Sequence, residues 1–135
     1  MLNKNTSSDN PPELGLVPWR RDFSSALDDA GKSGKLVLLL FQEIPGCRTC
    51  TDFGKNVLSN GDFIAFVMES FIPVAVYNNR PGSDVEILQR YNEPAWNNPV
   101  IRVVDGSGQD IIERIADCYE PVSLIRKLKS ALPST

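Results

Sequence analysis

The chain has no histidine among its 135 residues. That absence removes the usual general base, and with it the Cys/His and Ser/His/Asp arrangements of hydrolases. It also removes the commonest nitrogen ligand of zinc. Basic residues are not in excess: 14 Lys and Arg stand against 17 Asp and Glu, scattered along the chain. A nucleic-acid surface needs a concentrated basic face, so nucleic acid is not an expected partner. Long apolar runs are missing too. The longest, "LVLLLF" at 36–41, suits one buried strand and is far too short for a membrane span. The N-terminal "MLNKNTSSDNPPELG" has no apolar centre of the kind a secretory signal carries, so the expected compartment is the cytoplasm. Cysteine is scarce, with three in all. An odd count this low is not a disulfide framework, and in the cytoplasm a close pair points to catalysis or metal binding.

What remains is the composition of one globular domain, 41% hydrophobic and 23% charged. Residues 1–18, with three prolines and many Asn, Ser and Asp, read as a flexible arm without a core; the domain is expected over 19–135. Phe23, Ala26, Leu27 and Ala30 recur at helical spacing, with Gly31 as the expected stop. "LVLLLF" reads as a strand buried on both faces. Cys50, Phe53, Val57 and Leu58 share one helical face, and "NGDFIAFVMESF" is a second short helix. "FIPVAVYNN" is strand-like. "GSDVEILQRYN" is helical, with Ser83 or Asp84 as its cap. "VIRVVD" and "DIIERIA" are two strands joined by the turn "GSGQ", and Pro121 opens a closing amphipathic helix. The first two strands are expected to be parallel, through a right-handed crossover.

Two motifs fail on inspection. "AGKSGK" suggests a phosphate loop, but the first glycine of that pattern falls on Ala26, and the loop leaves a helix instead of opening one. A phosphatase reading of Cys47 needs an arginine six positions on, where Phe53 stands.

The pair in "IPGCRTC", Cys47 and Cys50, is the candidate centre. It follows a buried strand and opens a helix. A thiol in a first helical turn meets free backbone N–H groups and the positive end of the helix dipole, both of which favour thiolate. Arg48 adds positive charge. Cys47 is thus the expected nucleophile, and Cys50, one turn on, the resolving thiol. The competing readings are inert packing and a zinc site. Only Cys118 remains as a further soft ligand, and no metal is expected.

Strand, Cys-x-x-Cys at a helix start, crossover, strand, then Pro99 before a hairpin: this order resembles the thioredoxin-like superfamily over residues 19–132. "LLLFQEIPGC", "VLSN", "VYNN" and "EPAWNNPV" resemble more closely a bacterial thioredoxin-like group with a Val-Pro-Gly-Cys or Val-Pro-Gly-selenocysteine motif. The resemblance implies a thioredoxin-like α/β fold, a central mixed sheet of about four strands flanked by helices. It implies a cis peptide at Asn98–Pro99, facing the cysteines, with Asn98, Pro99 and Trp96 as substrate-binding residues. Trp96 either offers a partner an apolar surface or packs under its loop. Selenocysteine stands at position 47 in some members, which again marks Cys47 as the attacking atom. Two departures matter. Arg48-Thr49 replaces thioredoxin's Gly-Pro between the cysteines, so the redox potential does not carry over. Thioredoxin's buried strand acid has no match in "LVLLL"; Glu43 is the nearest carboxylate and the candidate proton relay to Cys50. Cys118, at the end of the last strand, reaches the same sheet edge, where burial as a small apolar residue is expected.

The expected function is thiol–disulfide exchange with no cofactor beyond the protein's own thiols. The partners would be a disulfide-containing protein or small thiol, and a separate electron donor or acceptor. The alternatives are a thiol peroxidase, in which a Cys47 sulfenic acid condenses with Cys50 or Cys118, and a binding module without turnover.

Overall fold

A computed structural model of the chain describes residues 10–94 and 99–133. The centre is β1, Leu36–Gln42, in which all but Leu36 are buried. β2, Phe71–Tyr77, pairs with it in parallel, and β3, Val100–Val104, pairs antiparallel on its other side, giving the order β2-β1-β3. Alternation along β1 splits the core. Val37, Leu39 and Phe41 point to a cluster with Phe23, Ala26 and Ala30 of α1 (Phe23–Ser33) and Leu88 and Tyr91 of α4 (Ser83–Tyr91). Leu38 and Leu40 point the other way. They meet Phe53 of α2 (Arg48–Asn56), Phe63 and Val67 of α3 (Gly61–Ser70), and Leu124 and Leu128 of α5 (Pro121–Lys129). Each of the buried Val, Leu and Phe side chains contributes about 1.5–3 kcal/mol by leaving water. The result is a thioredoxin-like α/β fold, a mixed sheet between two helical layers. Among the described residues no helix is long and apolar enough to cross a membrane.

Local chemistry places most helix ends. Asp22 caps α1 by accepting from the Ser25 N–H, and Asn60 caps α3 by accepting from the Phe63 N–H. α1 does not stop at Gly31; it runs to Ser33 and ends at Gly34, whose φ is +80°. Neither Ser83 nor Asp84 caps α4. The cap position is Gly82, and Asp84 is instead paired with Arg21 at 2.8 Å.

Two expectations need correction. The second arm of the hairpin is not a regular strand. It touches β3 at Val104–Asp110 and Ile101–Ile115, three steps apart along β3 but five along the outer arm. Two surplus residues bulge out, so the fourth strand reduces to isolated bridges. The second correction concerns the N-terminus. From residue 10 the expected arm is folded: Leu14 and Val17 lie in the core, and Pro12–Leu14 form one 3-10 turn against α2. Gly54 admits it, since a Cβ there would collide with the Pro12 and Glu13 backbone. The Leu16 N–H donates to Leu58 O at 3.0 Å, and the Trp19 indole donates to Leu14 O at 2.9 Å. Apolar anchors at 14 and 17 overcome the polar composition around them.

Candidate active site

The buried end of β1 passes through residues 43–46 into α2. Cys47 holds the N-cap position with extended backbone and is exposed; Cys50 follows one turn later and is fully buried. Their Sγ atoms are 3.7 Å apart. The two thiols differ in character. The Cys47 thiol makes no well-formed capping bond. Even so, the Cys50 backbone N–H is the main influence holding its pKa below the ordinary value, against a smaller desolvation cost. Burial, with the contact to Cys47 second, pushes the Cys50 thiol up to about 11. Cys50 is therefore the S–H donor and Cys47 the acceptor. Arg48 takes little part: its side chain is 93% exposed and turned to Asp52 at 3.8 Å.

The turn before Cys47 is tied down by distant segments. The Ile44 N–H donates to Asn79 Oδ1 at 3.0 Å, and Asn79 Nδ2 donates to Pro45 O at 3.4 Å. Arg80 Nε donates to Ile44 O at 2.9 Å. The Gly46 N–H donates to Glu13 Oε2 at 2.6 Å. The Ile44–Pro45 peptide is cis. Gly46 has no room for a side chain, since a Cβ would lie 2.6 Å from Cys50 Cβ and 3.1 Å from its Sγ. Asn79 belongs to "VYNN", one of the stretches that carried the family resemblance. Its bonds join that stretch to "IPG". Glu13 carried no such signal, because it lies among prolines and polar residues.

Glu43, expected beside the pair, is there. Its carboxylate and both Sγ atoms lie within 4.8 Å of one another. These three groups could hold a soft cation, one ligand short of a closed zinc site. Trp96, Asn98 and the Asn98–Pro99 bond lie outside the described residues, so the cis peptide expected there does too; Pro99 itself is buried. Cys118 is a half-buried free thiol packed on the α2–α5 side of the core.

The fold and this pair define the class: a thioredoxin-fold chain with a dithiol at the start of a helix. No protein family matches the sequence, and no curated protein is similar to it. Solved structures are similar. DsbH oxidoreductase superposes with a TM-score of 0.72 at 20% identity, covering 97% of this chain and 94% of its own. A thioredoxin from Thermus thermophilus gives 0.70 at 20% identity, covering 84% and 85%. The C-terminal domain of Neisseria meningitidis DsbD, in its oxidised form, gives 0.64 at 23% identity, covering 84% and 98%.

Proposed function

We propose that the protein is a thiol–disulfide oxidoreductase. The observation that carries this reading is the asymmetric pair: an exposed, acidified Cys47 thiol 3.7 Å from a buried, protonated Cys50 thiol. The Cys47 thiolate attacks a substrate disulfide R–S–S–R′, forming Cys47–S–S–R and expelling R′–S⁻, which takes a proton from solvent. Cys50 then gives its proton to the Glu43 carboxylate and attacks Cys47 Sγ. That closes the Cys47–Cys50 disulfide and releases R–S⁻. A dithiol donor returns the pair to the reduced state; with a disulfide acceptor the same steps run in reverse. Burial keeps Cys50 protonated until the mixed disulfide has formed, which orders the two steps. Asn98, Pro99 and Trp96 are proposed to pair with an extended substrate chain beside the thiols. The shared "IPGC" and "VYNN" stretches support a place near the Val-Pro-Gly-Cys/selenocysteine group.

The test is a trapping experiment. Cys50→Ser is expected to accumulate mixed disulfides with disulfide-containing proteins under non-reducing conditions, and Cys47→Ser to accumulate none. Trapping by Cys47→Ser would reverse the roles, and trapping by neither would remove the function.

A further inference from the structure

The turn that presents Cys47 is gripped from one side by a carboxylate, and that carboxylate stands 33 residues earlier in the chain. Glu13 is 4% exposed. A buried carboxylate is costly unless hydrogen-bonded, and Glu13 spends an oxygen on the Gly46 N–H, at 2.6 Å. Its own carbonyl accepts from Gln42 Nε2 at 2.9 Å, and the same nitrogen is 3.4 Å from Cys50 O. Gln42 is fully buried, and its Oε1 has no partner among the described residues. One residue thus touches the end of β1, the residue before Cys47 and, through Gln42, the backbone of Cys50. The grip is built in: Gly54 leaves space for the Pro12–Glu13 backbone, and Asn10 Nδ2 ties off Gly15 O and Val17 O at 3.0 and 2.7 Å.

We infer that Glu13 is a positioning residue for the redox pair: its buried carboxylate fixes the Gly46 turn so that Cys47 and Cys50 stay in attacking range, and its negative charge sets how readily the pair is oxidised. This rests on the dithiol reading above. The chemistry has a definite sign. A carboxylate held on the Gly46 N–H opposes a second negative charge on Cys47 from one side, in addition to the Glu43 carboxylate within 4.8 Å of both Sγ atoms, while Arg48, exposed and turned to Asp52, offsets little. Oxidation to the disulfide removes the thiolate and the repulsion with it. Glu13 therefore favours the disulfide over the thiolate form, and residues 10–17 become part of the site's electrostatics.

The experiment uses the full chain and two variants. Glu13→Gln keeps the size and an acceptor oxygen but removes the charge; Glu13→Ala removes both. The readouts are the dithiol–disulfide equilibrium against glutathione and the pH profile of Cys47 alkylation. Fluorescence read in a Trp96→Phe background, so that only Trp19, bonded to Leu14 O, emits, reports that the segment stays docked. In Glu13→Gln the alkylation profile should move to lower pH, and the equilibrium should move toward the dithiol by roughly threefold, which is about half a pKa unit. Glu13→Ala should move the equilibrium further and slow the internal closure of the disulfide. If both variants keep the wild-type profile and equilibrium with Trp19 fluorescence unchanged, Glu13 is only a packing residue and the inference fails. If the wild-type pair itself does not exchange with glutathione, the function reading fails first.

Discussion

At the scale of single residues, the two cysteines share one short turn and are driven apart in acidity by different causes. Cys47 is held below the ordinary thiol value by the Cys50 N–H, and Cys50 is raised to about 11 by burial. Alkylation of the reduced protein should therefore proceed in two steps, Cys47 first at a pH below 9 and Cys50 only toward 11 or on unfolding. Mass spectrometry of the labelled peptides across a pH series checks this; simultaneous labelling of both thiols would refute it. The helix-start reading of Cys47 was legible from sequence because it needs only a strand, a turn and a helix in order. The contribution assigned to Arg48 was not sound, since an exposed side chain beside a carboxylate has little field to offer. Gly46 is a second critical residue. Gly46→Ala would place a Cβ 2.5 Å from Glu43 O and 2.6 Å from Cys50 Cβ. The expected cost is about 1–3 kcal/mol of stability, with slower closure of the Cys47–Cys50 disulfide, read by thermal melts and by thiol loss under oxidised glutathione.

At the scale of elements, the helices and the two long apolar strands could be read directly because their periodicity is strong. α1 overran its first glycine since nothing at Gly31 forbids continuing: a Cβ there would meet nothing within 4 Å. The outer hairpin arm could not be read, because two surplus residues change its register without changing its composition. The folded stretch 10–17 was hidden by its polar content; two apolar anchors and a glycine on another element decide it. Gly54→Ala tests that packing. Its Cβ would meet the Pro12 and Glu13 backbone, which cannot rotate away as a side chain can. A loss of about 1–3 kcal/mol is expected, together with a red-shifted Trp19 emission, read in a Trp96→Phe background, as the 3-10 turn lifts from α2. Unchanged emission would mean that the segment tolerates displacement.

At the scale of the whole molecule, a buried charge cluster closes the side of the domain near β3. Glu93 has 1% of its side chain exposed and meets Arg102 and Arg114 at 2.8 and 2.7 Å; Arg102 also reaches Asp110 at 2.8 Å. Burial alone would raise the Glu93 pKa, but the bonds from Arg114 and then Arg102 prevail and hold it below the usual carboxylate range. A depressed carboxylate contributes stability above its unfolded pKa, and that contribution is lost as pH falls through the folded value. Glu93→Gln should thus cost about 1–3 kcal/mol near pH 7, since Arg102 keeps Asp110 and Tyr91 O but loses the buried carboxylate. The gap to wild type should narrow as pH falls below the carboxylate range, which denaturant melts across pH would show. The cluster could not be read from sequence: Glu93, Arg102 and Arg114 look like ordinary surface charges until the chain brings them together.

β1 is paired along both edges and covered on both faces, and the turn carrying the thiols grows from its end. Amide hydrogens at Val37–Phe41 should then exchange with solvent only when the whole domain opens, so their exchange rate is a direct gauge of global stability. By thermodynamic closure, the difference in that gauge between the dithiol and disulfide forms equals the difference in disulfide free energy between the native and unfolded chains. The central strand thus acts as an internal meter of how strongly the native turn drives Cys47 and Cys50 together, read in deuterium and without an electrode.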